Sequence, residues 1–333
     1  MQPRALLTGA TGFIGSHLLE AIVAKKWSVT CLVRPRSRID KIKKMPVRIL
    51  SGPPYHSDIL GRAVKDQDYI FHLAARIRPA PAEVYEKVNH LWTRNLAQAC
   101  LYGNPNIKRF IYVSSMGAAG PTPPGTTFDE SRPPSPESEY GRTKLRGEEA
   151  VKEVWGKMPA TIIRPPNVFG PGQQETELLI KLIRKRIVPI LKDEGKSTSL
   201  IYIKDLIKGI LQASNSPLAQ GQIYYLTDGS GYSWREIILA LKEAVLGDTL
   251  FVPFPEELIY SLAWFADLLR FMGFRRLFFG RRIWDTMVKT HWLYASSKAR
   301  KELNFRPEFN LTTGVRDMML SAQPEAPSCP GFS

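Results

Sequence analysis

The chain has 333 residues, 44% hydrophobic and 23% charged, which excludes a disordered chain and allows a sizeable buried core. Lysine and arginine total 46 against 31 aspartate and glutamate, and the net charge of +15 favours anionic partners: nucleotide cofactors, anionic lipid surfaces or nucleic acid. Three scattered cysteines (Cys31, Cys100, Cys329), an opening segment without a signal-peptide apolar core and an apolar stretch of only 258–266 exclude a disulfide framework, a metal-ligand spacing and a spanning helix, so the expected setting is cytoplasmic.

Residues 4–34, "RALLTGATGFIGSHLLEAIVAKKWSVTCLVR", read as strand, glycine turn, helix, strand. Ala5-Leu6-Leu7 is a short unalternating apolar run, as in a parallel strand covered on both faces. Ile14 to Ala24 carries apolar residues at helical spacing, and "SVTCLVR" is β-branched and nearly continuous. The pattern repeats through "DYIFHLAA" (68–75), a helix around 83–102 and "RFIYVSS" (109–115). A Pro/Gly-rich loop over 120–136 leads to a helix predicted to start at Ser135-Pro136, with the serine as cap and the proline at the first helical position. The strand "ATIIRP" (160–165) follows, and "YIKDLIKGILQA" (202–213) reads as a strand end feeding a helix, with Asp205 a structural helix-start residue. Such alternation predicts an α/β fold with a doubly wound, Rossmann-type parallel sheet. After residue 165 the alternation loosens. The expected organisation is a nucleotide-binding domain over 1–165 to which 198–230 returns, a smaller, mostly helical substrate lobe from 166–197 and 231–325, and a tail over 326–333.

Four stretches carry chemistry. In "TGATGFIG", Gly9, Gly12 and Gly15 stand between a strand and a helix, where backbone N–H groups and the helix N-terminus can meet a pyrophosphate. The spacing is G-x-x-G-x-x-G rather than G-x-G-x-x-G. Arg34, 19 residues after Gly15, ends the second strand, and Arg36 and Arg38 follow; an arginine there suits the 2′-phosphate of NADP, so NADP is favoured over NAD. In "SEYGRTKLRGEE", Tyr140 and Lys144 share a helix face, and an ammonium near a phenol lowers its pKa toward proton exchange with a substrate oxygen. In "YVSSMGAAG", Ser114 and Ser115 lie at a strand end on the ligand edge of a parallel sheet, and they face opposite ways.

Taken in order, strand–"TGATGFIG"–helix, "FHLAA", "YVSS", "YGRTK" and "RPPNVFGPG" resemble the extended short-chain dehydrogenase/reductase superfamily, from about Leu6 to Leu211. The resemblance implies a catalytic set of Ser115, Tyr140 and Lys144, with Tyr140 as acid/base and Lys144 lowering its pKa and holding the nicotinamide ribose. It implies that Gly9, Gly12, Phe13, Ile14 and Gly15 line the pyrophosphate, that Leu73, Ala74 and Ala75 line the cofactor, and that Pro165, Asn167 and Val168 lie near the nicotinamide. Many relatives place an acidic residue against the adenine after the strand preceding "FHLAA"; here Pro53 stands in that position, and Asp58 is nearby at a different spacing. Relatives often dimerise through the helices at 83–102 and 136–155, which makes a homodimer the expectation.

Within the superfamily, "YVSSMGAAGP" and "YGRTKLRGE" look most like the 3β-hydroxysteroid dehydrogenase and dihydroflavonol reductase branch. Sugar dehydratases usually place a threonine and an acidic pair after the strand serine; here Met116, Gly117, Ala118 and Ala119 follow Ser115. The 256–287 region holds Trp264, Phe265, Phe271, Phe274, Phe278, Phe279 and Trp284 among five arginines, which suits a bulky apolar substrate of steroid, terpenoid, flavonoid or acyl type, or a peripheral contact with an anionic membrane surface. The expected activity is hydride transfer between a nicotinamide and a ketone or secondary alcohol, with a nucleotide-sugar 4-epimerase or dehydratase as the alternative. A non-catalytic NADP sensor and a nucleic-acid binder are remoter readings; no nucleic-acid motif accompanies the charge and no metal is expected.

Overall fold

The computed structural model describes residues 2–185, 187–190, 196–245, 250–253, 261, 264–265 and 290–321. Seven parallel strands form the main sheet: β1 (Arg4–Thr8), β2 (Ser28–Val33), β3 (Arg48–Ser51), β4 (Tyr69–His72), β5 (Arg109–Val113), β6 (Ala160–Arg164) and β10 (Gln222–Tyr225). Their order is β10-β6-β5-β4-β1-β2-β3, the Rossmann-type doubly wound arrangement expected. The chain runs outward from β1 to β3, then returns to the other side of β1 as β4. The crevice outside the ends of β1 and β4 is therefore the topological switch point.

Alternate residues of the strands feed two apolar layers, which is why the strand sequences do not alternate with polar residues. Ala5, Leu7, Phe71, Ile111 and Ile163 pack against α1 (Phe13–Ala24) and α8 (Ile203–Asn215) through Leu18, Ile22, Leu206 and Ile210. Leu6, Ile70, Phe110, Tyr112 and Ile162 pack on the other face against α2 (Ser57–Val64), α4 (Trp92–Gly103) and α6 (Glu139–Lys152). Burial pushes the Cys31 and Cys100 thiols up to about 12, so both stay protonated and inert in these layers.

Past β6 the strands leave the main sheet. β7 (Asn167–Phe169), β9 (Ser197–Tyr202) and β11 (Gly231–Ser233) form a three-stranded sheet, and β8 (Ile187–Ile190) pairs in parallel with β12 (Leu250–Pro253). Helices α7 (Gln174–Arg184) and α9 (Trp234–Val245) and the helix Leu311–Ser321 pack together beside them. A strap at 291–294 bridges back to the 122–128 loop, through Thr122 to His291 and Phe128 to Tyr294.

Two local expectations change. The helix of the "SEYGRTK" stretch starts at Glu139, capped by Ser138, whose Oγ accepts the Gly141 N–H at 3.0 Å. Ser135 instead donates its N–H to the Ala119 carbonyl at 2.7 Å, which holds the chain at 135–136 against the preceding turn. Asp205 does more than open α8: it is buried and accepts the N–H groups of Glu308 and Phe309 at 3.0 and 2.9 Å, tying down the chain before the last helix.

Of the aromatic and arginine-rich 256–287 region only Ser261, Trp264 and Phe265 are described, both aromatics about half exposed, so its role as pocket, core or membrane contact lies outside the described residues. Among the described residues no helix is long and apolar enough to cross a membrane.

Candidate active site

The glycine turn is built by close approach. Gly9 leaves β1 with φ +79°, and a Cβ on it would lie 2.7 Å from the Ala74 nitrogen. A Cβ on Gly15 would lie 2.1 Å from the Gly9 carbonyl oxygen, so the first turn of α1 sits directly on the end of β1. Gly12, the N-cap of α1, differs: apart from the Gly9 oxygen at 3.2 Å, nothing lies within 4 Å of where its Cβ would be. No side chain caps α1 and no acidic residue stands in its first turn. The result, among the described residues, is an uncapped helix start facing open space at the switch point, a cradle that fits the pyrophosphate of a dinucleotide. Phe13 and Ile14 open the helix there.

The neighbouring strand end is fixed by a buried polar chain. Thr8 Oγ1 accepts the Ala74 N–H at 3.3 Å and contacts His72 Nδ1 at 2.7 Å; His72 Nε2 contacts Thr93 Oγ1 at 3.0 Å. His72 is fully buried, and burial with the nearby Lys144 charge lowers its pKa to about 3, so it is neutral at physiological pH. Leu73, Ala74 and Ala75 follow directly on β4, with Leu73 and Ala74 against Gly9. Arg34 follows β2, exposed, at the next strand end out from β1, and its charge acts on the Tyr55 phenol beside the end of β3. Pro53 lies in the loop between β3 and α2, and Asp58 belongs to the first turn of α2.

At the end of β5 the two serines separate. Ser114 is buried and donates to Glu148 Oε1 at 2.6 Å. Ser115 faces the other way and caps the short helix α5 (Met116–Ala119), its Oγ accepting the Gly117 N–H at 3.0 Å. Helix α6 packs tightly on this turn: a Cβ on Gly141 would lie 2.1 Å from the Gly117 oxygen. That contact brings the Tyr140 ring against Gly117, beside the Ser115 hydroxyl. Burial pushes the Tyr140 phenol up to about 12, the Ser115 hydroxyl pulls it down and the edge of Tyr85 pushes it up. Lys144, one turn on, is buried; its Nζ donates to the Val113 carbonyl at 2.8 Å and lies 4.1 Å from the centre of the Tyr112 ring. Burial lowers its pKa to about 7, and Glu148 opposes that shift. Here Tyr140 responds to burial, Ser115 and Tyr85, while the Lys144 ammonium donates to the Val113 carbonyl.

The structure thus brings Ser115, Tyr140 and Lys144 together at the end of β5, and the glycine turn and the Leu73–Ala75 segment together at the ends of β1 and β4. Pro165 joins the first group, its carbonyl accepting the Met116 N–H at 2.9 Å. Asn167 and Val168 lie just beyond, in β7, where the Asn167 amide donates to Thr198 Oγ1 at 3.1 Å and is engaged with the smaller sheet. Arg34 stands apart from these at the β2 edge.

Sequence reasoning missed His72 and the pair beneath Lys144. Glu148 and Arg164 are both buried and form a bidentate pair, Arg164 Nε to Glu148 Oε1 at 2.9 Å and Nη2 to Oε2 at 2.6 Å, with Nη1 donating to the Tyr225 hydroxyl at 2.8 Å. Removing one partner of such a pair strands the other charge and costs about 3–5 kcal/mol. The signals were present: Glu148 lies four residues after Lys144, and Arg164 ends an otherwise apolar strand. An open groove of about 900 Å³ between α1 and α8, lined by Ala21, Trp27, Ile207 and Leu211, involves none of the site residues. Among the described residues no cluster of His, Cys, Asp and Glu has metal-holding geometry.

The chain is similar to known proteins in sequence and in fold. The chain is 26% identical over 301 residues to a ceramide reductase of Caulobacter vibrioides, covering 90% of this chain and 83% of that protein. It is 29% identical over 267 residues to a UDP-glucose 4-epimerase of Vibrio cholerae, covering 77% and 80%. Its fold matches the structure of a UDP-glucuronic acid 4-epimerase from Bacillus cereus in complex with NAD, with a TM-score of 0.74, 22% identity and coverage of 96% and 99%. The profile of the NAD dependent epimerase/dehydratase family matches residues 5–226, from β1 through the last strand of the main sheet. The chain is an enzyme of the NAD dependent epimerase/dehydratase family, within the extended short-chain dehydrogenase/reductase superfamily.

Proposed function

We propose that this enzyme is an oxidoreductase that interconverts a ketone and a secondary alcohol on a bulky, apolar substrate. The observation that carries the reading is the placement of the Ser115 hydroxyl and the Tyr140 ring on the same Gly117 turn at the end of β5, with Lys144 one turn along the same helix. The bound nicotinamide supplies hydride exchange with the substrate carbon. Tyr140 gives or takes the proton of the substrate oxygen, and Ser115 and Tyr140 donate hydrogen bonds to that oxygen as negative charge develops. Lys144 holds the nicotinamide ribose and, once turned from the Val113 carbonyl toward it, favours the phenolate. Gly9, Gly12, Phe13, Ile14 and Gly15 hold the pyrophosphate; Leu73, Ala74, Ala75, Pro165, Asn167 and Val168 line the remaining cofactor wall.

Dehydration is disfavoured because Met116, Ala118 and Ala119 turn inward after Ser115 and bring no acid/base group to the site. The similarity to a ceramide reductase supports an apolar substrate; the similarity to a UDP-glucose 4-epimerase keeps a nucleotide-sugar epimerase as the second reading. Arg34, exposed at the end of β2, supports NADP as the preferred cofactor. The domain division is part of the same proposal: 1–165 with 198–230 holds the cofactor, and 166–197 with 231–325 holds the substrate. A homodimer and a peripheral membrane contact through 256–287 complete it.

The experiment is a substrate screen followed by cofactor absorbance. Steroid, flavonoid, terpenoid and acyl ketones are expected to consume reduced cofactor, faster with NADPH than with NADH. Turnover of a nucleotide sugar with no net cofactor change would establish the epimerase reading instead.

A further inference from the structure

The turn that Ser115 caps is held from outside the main sheet. Helix α5 is only 4 residues long, and a single turn does not fix itself. A Cβ on Gly117 in that turn would lie 3.4 Å from both the Ser115 Oγ and the Tyr140 ring. Ser115 moves with α5 and Tyr140 with α6, so a shift of α5 changes how the two groups meet. The start of the turn is tied to the end of β6, where the Met116 N–H donates to the Pro165 carbonyl at 2.9 Å. Its far end is tied by Tyr294, whose hydroxyl donates to the Gly120 carbonyl and lies 3.5 Å from the Met116 carbonyl.

Tyr294 is buried, and the smaller sheet sets its place. Its N–H donates to Ser199 Oγ at 3.0 Å. Two residues earlier the strap exchanges backbone hydrogen bonds with β9: Ser199 N–H to the Trp292 carbonyl at 2.7 Å, and Trp292 N–H to the Ser197 carbonyl at 2.9 Å. Its other edge holds the loop that leaves α5, through Thr122 N–H to the His291 carbonyl at 2.8 Å and Phe128 N–H to the Leu293 carbonyl at 2.9 Å. The Tyr294 ring stacks on Tyr225 of β10, with centroids 4.5 Å apart. The strap therefore joins the sheet of the second lobe to the catalytic turn, and Tyr294 is the side chain that reaches the turn itself.

We propose that Tyr294 is a positioning residue for the reaction: its hydroxyl pins α5 to the smaller sheet and so fixes the Ser115 hydroxyl beside the Tyr140 ring. It acts through the backbone of α5 and not on the substrate, because its hydroxyl is buried against carbonyl groups. This role rests on the reading of Ser115 and Tyr140 as the groups that serve the substrate oxygen. Misplacement of such groups by about 1 Å costs on the order of a hundredfold in rate.

Tyr294→Phe removes the hydroxyl and keeps the ring on Tyr225. Tyr224→Phe is the matched control, a buried tyrosine whose hydroxyl instead donates to the Leu218 carbonyl and the Glu302 carboxylate. Two measurements are made on each: amide hydrogen exchange over residues 115–121, and kinetics with the best ketone of the screen. Tyr294→Phe is expected to speed exchange of the Ala118 and Gly120 amides, which close the turn, by about tenfold. It is expected to lower kcat about tenfold or more, with KM and NADPH affinity within about threefold of wild type. Ser199→Ala, which frees the Tyr294 N–H, loosens the same pin more gently and is expected to move both readings in the same direction. Tyr224→Phe is expected to lower the melting temperature and leave both readings unchanged. Unchanged exchange or unchanged kcat in Tyr294→Phe overturns the proposal, as does an equal fall of kcat in Tyr224→Phe; if Tyr294→Phe does not fold, unchanged readings in Ser199→Ala overturn it. The exchange measurement needs no substrate, so failure of the oxidoreductase reading, seen as turnover that survives Tyr140→Phe, is distinguishable from failure of the pin.

Discussion

At the residue scale, the two adjacent serines show how position decides role. Ser114 and Ser115 have the same chemistry, and strand geometry sends them to opposite faces. The residues alone leave both serines open and the resemblance implies Ser115; the structure spends Ser114 on Glu148 and leaves Ser115 on the Gly117 turn beside Tyr140. His72 was not legible as a polar residue of consequence, because "YIFH" reads as an apolar strand whose last member looks incidental. Its partners, Thr8 and Thr93, come from β1 and α4, and no local pattern links them. This histidine makes stability depend on acid. Its folded pKa is about 3 against an ordinary value of 6.5, so its contribution is fully present above 6.5 and is lost as pH falls toward 3. The slope is about 1.4 kcal/mol per pH unit within that window. His72→Gln, which cannot titrate, is expected to flatten the fall in urea-unfolding free energy between pH 6.5 and 4 by about one proton's worth. An unchanged slope would mean that His72 does not bear the acid sensitivity.

At the element scale, α6 carries two of the three proposed catalytic residues, Tyr140 and Lys144, and its register is set by its start. The proline-rich loop offered Ser135-Pro136 as a start signal, and by sequence rules it is a good one. The Ser135 N–H, however, is already bonded to Ala119, so the helix waits for the next serine. Ser138 then caps Gly141, the residue that lets α6 touch α5. Ser138→Ala is expected to cost about 1 kcal/mol by loss of this cap. Thermal unfolding reads that loss, and Ser135→Ala serves as the contrast because its side chain makes no cap here. Equal destabilisation by the two would contradict the assigned start. Helix α1 and its glycine turn were fully legible, since strand, turn and helix are contiguous in sequence. The Glu148–Arg164 pair was not, since β6 and α6 meet only through the fold.

At the scale of the whole molecule, the strand order puts the glycine turn and Leu73–Ala75 at the switch point of β1 and β4 and Ser115, Tyr140 and Lys144 at the end of β5, while Arg34 lies at the end of β2 and Asn167 and Val168 lie in the smaller sheet. The alternation of apolar strands and helices was enough to read that sheet, because its strands are short and mostly apolar and helices separate most of them along the chain. The small sheets beyond β6 were not readable in the same way. Their three-residue strands β7 and β11 carry no periodic signal, and they pair only through β9. The net charge of +15 suits an anionic dinucleotide but does not select between the crevices.

The central claim is that this molecule moves a hydride while Tyr140 moves the accompanying proton. Tyr140→Phe tests it most directly, with turnover of the best ketone from the screen and fluorescence binding of NADPH measured on the same preparation. The account predicts that turnover falls by at least about a hundredfold, in line with loss of a general acid, while NADPH affinity stays within about threefold of wild type, a change well under 1 kcal/mol. Turnover that survives the substitution with binding intact would contradict it.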